Sequence, residues 1–446
     1  MKRVFLIGAG RSSIYLINYL LEQAAVENWE ITVGDVSEEL VKEKTNGHPY
    51  ARPIKFDISD AAQTEQEVSR ADVVISLLPA HMHLAVAKAC VKYKRHLVTA
   101  SYVTPEMQAL HEEAVQHNIL LLNECGLDPG IDHMSAMEII REIRAQGGDL
   151  IAFYSYTGGL VAPESNDNPW GYKFSWNPRN VILAGQGTAR YIENGKYKYI
   201  PYSRLFSSAQ PVLVDGVGSF DGYANRDSLA YRKIYGISNI PTLLRGTLRQ
   251  SGYCSAWHVF VQLGLTDDSY SIENSQELTY AQLVEALLPS SLTGKSLQQS
   301  VAQLCGLSES SEEIKMVAWT GIFSDDKIGL PNASPAQILQ KLLEEKWKLK
   351  STDKDMVVMQ HRFDYILNGK KYSRYSSLVV TGEDAAHTAM AKTVGLPVAI
   401  ASSRLLLGKI QERGVLIPIS EGISRQILNE LKEYGIHFQD KTVPLT

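Results

Sequence analysis

Through its first 125 residues the chain repeats one arrangement: a short run rich in Val, Ile and Leu, then a longer segment whose apolar positions fall three and four apart. The runs occupy residues 3–7, 30–33, 52–56, 72–77, 96–99 and 119–122, and the clearest helical segments are 14–24, 84–92 and one starting at Pro105. A strand that is apolar at successive positions is buried on both faces, as inside a parallel sheet covered by helices. Six such strands alternating with helices predict a doubly wound parallel sheet, a Rossmann domain complete by about Asn123.

Beyond that point the pattern changes. Aromatic and glycine-rich stretches at 152–159 and 168–176 read as a mixed sheet carrying loops. Residues 281–288, 297–305 and 335–346 read as helices, and 355–366 with 371–381 as a hairpin rejoining the sheet. A long apolar helix follows at 389–407, with Pro397 near a kink or near its first turn. The expected architecture is α/β: a Rossmann domain over 1–125 with 385–446 packing back on it, a mixed α/β substrate domain from 126–275 and 351–384, and a helical insertion at 276–350. No internal repeat is evident.

Composition narrows the function. With 446 residues, 44% of them hydrophobic and 21% charged, the chain can bury one or two sizeable cores. A net charge of −5 leaves no basic footprint for nucleic acid, and no apolar stretch approaches the length of a membrane span. The apolar start at Val4–Ile7 breaks at once into Gly8-Ala9-Gly10, unlike a signal peptide. Cys90, Cys125, Cys254 and Cys305 lie too far apart for a zinc site or a disulfide framework, so reduced thiols in a cytoplasmic protein are expected. A homodimer is expected on base rate alone.

Gly8-Ala9-Gly10-Arg11-Ser12-Ser13 follows a strand and opens a helix, the setting of a dinucleotide fingerprint. Gly8 makes the turn, Gly10 lets backbone approach a pyrophosphate, and the helix start supplies N–H donors. Ser13 replaces the usual third glycine. Asp35 ends the second strand, where a carboxylate accepts ribose hydroxyls and repels a 2′-phosphate, which favours NAD over NADP; its structural alternative is to cap the following turn. Leu77-Leu78 and Thr99–Tyr102 follow the fourth and fifth strands, at the ligand-binding edge of such a sheet. Asp128 lies just past the last strand, as a substrate contact or as a helix N-cap before Pro129. His81-x-His83 reads as surface or capping histidines, and Trp170–Trp176 as an aromatic cover for the cleft.

Ser101-Tyr102, Gly126–His133, Ser155–Leu160, Asn168–Trp176, Asn225–Ser228 and Arg245–Arg249 stand in an order and spacing that resembles the saccharopine reductase family, and the likeness covers nearly the whole chain. The resemblance implies reductive condensation of 2-aminoadipate semialdehyde with glutamate to saccharopine, or the reverse oxidation, with NAD or NADP. It implies that Ser101, Tyr102, Asp128, Arg226 and Thr247 contact saccharopine, and that Gly8–Ser13, Asp35, Leu77, Leu78, Cys125 and Trp176 adjoin the cofactor. The chemistry suits these types: three carboxylates call for guanidinium clamps, for which Arg226 and Arg245 are the candidates unless they pair with Asp221 or Asp227. An iminium nitrogen calls for a proton donor, Tyr102 or Asp128. The chain departs from the family at Thr157, where cysteine is frequent, at Val161 and Ala224, where proline is usual, and at Asp35-Val36, where NADP users tend to carry arginine. The alternatives are a carboxyspermidine-type imine dehydrogenase and a non-catalytic NAD-binding scaffold.

Overall fold

The strands β1 (Arg3–Ile7), β2 (Glu30–Asp35), β3 (Ala51–Lys55), β4 (Val73–Ser76), β5 (His96–Thr99) and β6 (Leu120–Leu122) pair in parallel in the order β6-β5-β4-β1-β2-β3. The computed structural model describes residues 1–292 and 295–445. Helices α1 (Ile14–Glu27), α2 (Glu38–Thr45), α3 (Ala61–Arg70) and α4 (His83–Tyr93) make the crossovers. The strand order reverses between β1 and β4, the switch point at which such sheets bind ligands beyond their carboxyl ends. The sheet does not stop at six strands. Gly414–Leu416 adds a seventh, parallel to β6, with residues 123–413 intervening; its apolar run, Val415-Leu416-Ile417, is of the same kind as the other six, but nothing local marks which sheet it joins.

By contact the chain divides into two units, the first formed by Met1–Asp149 with Leu378–Gln439 and the second by Leu150–Ser377 with Asp440–Thr446. In the first, helix Ala389–Leu406 lies along α1, with Gly395 against the Ser12 carbonyl and Leu16. Pro397 sits in the middle of that helix rather than in its first turn. Ser13 is fully buried.

The second unit is built on a mixed sheet. Its strands are β7 (Asp149–Val161), β8 (Thr188–Glu193), β9 (Lys196–Pro201), β10 (Gln210–Val214), β11 (Gly218–Ala224), β12 (Thr242–Gln250), β13 (Asp355–Leu367) and β14 (Lys370–Thr381). The order is β10-β11-β12-β7-β13-β14, then Gln439–Pro444, with β8 beside β12 and β9 beside β8. β12 runs parallel to β7 and antiparallel to β11. β13 and β14 are joined by Asn368-Gly369, both with positive φ (51° and 76°), as a tight two-residue hairpin turn requires.

Helices between 280 and 346 pack with Tyr253–Gln262 around an aromatic core. Trp170 stacks on Phe260 at 5.5 Å and Tyr253 on Trp257 at 5.6 Å, with Trp347 among them. Trp170, Tyr172 and Phe174 are therefore core residues and not a cleft cover: each is at most 3% exposed. The one charge in that run, Lys173, is itself buried and neutralised by Asp353 and Asp167, so it too belongs to the packed interior. Thr279, Ser296 and Ser334 each close a capping box with the glutamine three residues on, which sets where three of these helices begin. Among the described residues no helix is long and apolar enough to cross a membrane.

Candidate active site

In the first unit the loops after β1, β4 and β5 and the segment after β6 converge at the carboxyl edge. Gly8 takes φ +103°, and a Cβ there would stand 3.3 Å from the backbone of Leu77, so this turn needs glycine. Leu77 is itself pinned by its N–H to the Ile7 carbonyl, and Leu78 packs on the core beneath. A Cβ on Gly10 would meet nothing within 4 Å. The backbone there is open to an incoming group, which is what a pyrophosphate seat requires, and Arg11 lies exposed beside it. Ser12 and Ser13 form the turn that leads into α1, and Ser13 Oγ donates to the Gly10 carbonyl at 2.9 Å.

Asp35 turns toward the backbone. Its Oδ2 accepts from Ala9 N–H at 2.8 Å and its Oδ1 from Ser37 N–H at 3.1 Å, so the carboxylate ties the glycine loop to the start of α2. Cys125 is buried, donating its thiol to the Pro397 carbonyl at 3.5 Å, and burial raises its pKa well above the ordinary thiol value.

The segment 124–133 places the polar groups. Gly126 N–H donates to the Pro129 carbonyl and Ile131 N–H to the Gly126 carbonyl, closing a tight loop with Asp128 inside it. A Cβ on Gly130 would fall 2.0 Å from the Gly126 carbonyl oxygen, so only glycine fits. Helix Ile131–Ala145 takes Gly130, not Asp128, as its N-cap, and the Asp132 carboxylate receives the Gly130 N–H. Asp128 is thereby released from capping, and it accepts a hydrogen bond from the Tyr102 hydroxyl at 3.2 Å.

Two buried networks hold Ser101 and Tyr102 in place. Glu124 N–H donates to the Ser101 carbonyl, while the Glu124 carboxylate receives Val103 N–H at 3.0 Å and lies 2.8 Å from His133 Nε2. On the other side His83 Nδ1 meets Ser76 Oγ at 2.9 Å and Nε2 meets Ser101 Oγ at 2.7 Å. His83 is 4% exposed, and burial, with a lesser push from His81, lowers its pKa to about 4. It is a neutral bridge beneath the sheet edge, not a surface histidine; its place at the first residue of α4 turns the ring inward.

In the second unit the cations collect on β12. Arg245, Thr247 and Arg249 alternate along the strand and share one face. Thr247 is flanked by Tyr223 on β11 and Thr157 on β7, and the Thr157 hydroxyl is buried without a partner. Arg245 is 5% exposed, with its guanidinium over the Tyr231 ring at 4.2 Å. Arg226 is exposed, in the loop after β11, and adopts φ +41°, a conformation that an arginine rarely takes. Asp227 pairs with Arg190 at 2.7 Å, and Asp221 accepts from the N–H groups of Gly252 and Cys254.

Arg249 was not singled out by sequence. It is 3% exposed, lies over Tyr172, Tyr253 and Tyr223 at 5.3, 5.5 and 6.0 Å, and its Nε has no partner. Its only hydrogen bond among the described residues goes to the Leu248 carbonyl at 3.0 Å. Burial raises the phenol pKa values of the three tyrosines, against a smaller opposing pull from Arg249 itself, so the cage is neutral. Trp176 joins it through its indole N–H to the Tyr172 hydroxyl at 3.1 Å. The signal available in sequence was the i, i+4 spacing of two arginines along one strand.

Two family models match the chain. The saccharopine dehydrogenase NADP binding domain family matches residues 4–122, and the saccharopine dehydrogenase C-terminal domain family matches 126–436. The chain is 36% identical to saccharopine dehydrogenase [NADP(+), L-glutamate-forming] of Pyricularia oryzae and 35% identical to that of Saccharomyces cerevisiae, covering 99% of this chain and of each relative. It is 36% identical to the mouse mitochondrial alpha-aminoadipic semialdehyde synthase over 99% of this chain and 48% of the relative. The solved apo saccharopine dehydrogenase (L-Glu forming) of Saccharomyces cerevisiae superposes with a TM-score of 0.88 at 34% identity, covering 99% of this chain and 100% of that one.

Proposed function

Because the chain belongs to the saccharopine dehydrogenase family, we propose that it is an L-glutamate-forming saccharopine dehydrogenase of lysine metabolism. It joins 2-aminoadipate semialdehyde to the amino group of glutamate with loss of one water, reduces the resulting imine to saccharopine, and carries out the reverse oxidation. The observation that carries this reading is the Tyr102–Asp128 hydrogen bond at the carboxyl edge of the sheet, on the same edge as the glycine loop. A nicotinamide dinucleotide, when bound, supplies or receives the hydride.

Every other step falls to the chain. Gly8, Gly10 and the backbone of Arg11, Ser12 and Ser13 offer an open seat for a pyrophosphate, flanked by Leu77 and Leu78. NADP(H) is the cofactor named for the fungal relatives and is the form we assign, although Asp35 alone pointed to NAD(H). Tyr102 and Asp128 hold a proton between them that can be given to the imine nitrogen and taken back from the amine, while Ser101 presents a hydroxyl fixed by His83. Arg226, Arg245 and Arg249 match in number the three carboxylates of saccharopine, and the Arg249 cage is built for a planar anion. Four free cysteines suit a cytosolic enzyme.

The test is absorbance in the nicotinamide band while purified protein meets saccharopine with NADP or with NAD. Reduced cofactor formed with NADP, and glutamate released in equal amount, is the expected result. Oxidation of a carboxyspermidine substrate without activity on saccharopine would favour the diamine-derived imine instead, and silence with every substrate would leave a binding scaffold.

A further inference from the structure

The glycine loop carries a positive charge that the reading above leaves unused. Lys44 lies in the last turn of α2, and its side chain returns to the loop, where Nζ donates to the Gly10 carbonyl and, at 2.9 Å, to Ser13 Oγ. Both acceptors are neutral. Among the described residues Lys44 forms no ion pair. Burial lowers its pKa, against weaker opposing pulls from Glu43 and Asp35, which places the Asp35 carboxylate close by.

Three facts converge here. An ammonium group has three N–H donors, and the loop occupies two, so one is left for a ligand. A partly desolvated cation with only neutral partners is held at a cost in the unliganded chain, and that cost is relieved when an anion arrives. Of the two carboxylates near Lys44, Asp35 stands on the loop itself and already accepts a backbone N–H on each oxygen, and the residues after it, Val36 and Ser37, bring no cation.

We propose that Lys44 is the residue that receives the 2′-phosphate of NADP(H), so that this chain recognises the phosphate from α2 across the glycine loop and not from the end of β2. The assignment rests on the dehydrogenase reading. It predicts that cofactor choice follows the charge at 44, with Asp35 restraining but not reversing it. A charge-assisted contact of this kind changes affinity by about tenfold to a hundredfold.

The experiment is a fluorescence titration of NADPH and of NADH into the full chain, its Lys44→Met variant and its Lys44→Arg variant, with melting temperatures to confirm that all three fold. Lys44→Met should weaken NADPH by about tenfold or more and move NADH by less than about threefold. Lys44→Arg, which keeps the charge, should retain most of the NADPH preference. Equal weakening of both nucleotides would overturn the assignment, because Lys44 would then serve the shared pyrophosphate or the shape of the loop. No change in either nucleotide, or a parent protein that binds NADH alone, would overturn it too while leaving the dehydrogenase reading intact. A parent protein that binds neither nucleotide would instead defeat the dehydrogenase reading on which it rests.

Discussion

Replacing Arg249 with methionine should separate substrate recognition from stability. The guanidinium is 3% exposed and has no carboxylate within reach among the described residues. Its desolvation, several kcal/mol in a folded protein, is set against the rings of Tyr172, Tyr253 and Tyr223, worth about 0.5–2 kcal/mol each, and one hydrogen bond to Leu248. These quantities nearly cancel. Methionine fills much of the same volume without a charge, so the fold should keep its melting temperature within about 5 °C. Substrate binding should not survive so well. A buried carboxylate that loses its guanidinium costs about 3–5 kcal/mol, or a hundred- to several-thousandfold in KM for saccharopine. Steady-state kinetics with saccharopine varied, calorimetry of the free protein and a cofactor titration as control give the three readings needed. Arg249→Lys should fall between, since a point charge cannot reproduce the planar fork. Unchanged KM together with a melting temperature lowered by more than about 10 °C would show that Arg249 props up the aromatic core and binds no carboxylate.

Other outcomes follow from the first unit. Tyr102→Phe and Asp128→Asn should each lower kcat by about a hundred- to ten-thousandfold with cofactor affinity unchanged, measured at saturating saccharopine; full activity in both would remove the pair from the proton path. Gly10→Ala should leave the melting temperature unmoved, because a Cβ there meets nothing within 4 Å, yet weaken NADPH and NADH alike in titration, whereas Gly8→Ala should destabilise the fold itself. His83, neutral when folded with a pKa near 4, titrates near 6.5 when unfolded. The unfolded chain therefore binds more protons between those values, so the stability His83 contributes is complete above pH 6.5 and is lost as pH falls toward 4, by about 2 kcal/mol at pH 5. His83→Asn should flatten that part of the melting-temperature profile, and an unchanged slope would refute the linkage.

The parallel sheet was legible because burial on both faces leaves short apolar runs, and here they recur in regular alternation with helical segments. The runs at 3–7 and 96–99 match the strands at both ends. The seventh strand carries a run of the same kind, Val415-Leu416-Ile417, but it lies far from the other six along the chain, and only the fold places it beside β6. The aromatic run at 170–176 misled for a related reason: large uncharged rings mark a core and a ligand cover equally, and only packing against Trp257, Phe260 and Trp347 decides. His83 escaped because its neighbour His81 is exposed, and a pair at i, i+2 on a helix start reads as surface until the ring is seen facing Ser76 and Ser101.

The cations show what pattern alone cannot rank. Lys173 is buried and meets Asp353 at 2.7 Å and Asp167 at 2.8 Å; Arg52 meets Glu67, Arg404 meets Glu430, and Arg362 meets Asp364 at 2.8 Å. Each of these has its counter-charge within the chain, and removing one would strand a carboxylate. Arg249, buried, and Lys44, half-buried, are the reverse: held by carbonyls, hydroxyls and rings, with no ion pair of their own among the described residues. Folding gains little from such a group, since attraction to neutral dipoles does not repay the loss of water around a full charge. What it gains is readiness, because a ligand anion then meets a cation already shorn of part or all of its solvent and fixed in direction. Pairing state, which depends on the neighbours that folding supplies and not on the residue or its spacing, is thus what separates Lys173, Arg52, Arg404 and Arg362, which hold the chain together, from Arg249 and Lys44, the cations proposed to meet a ligand.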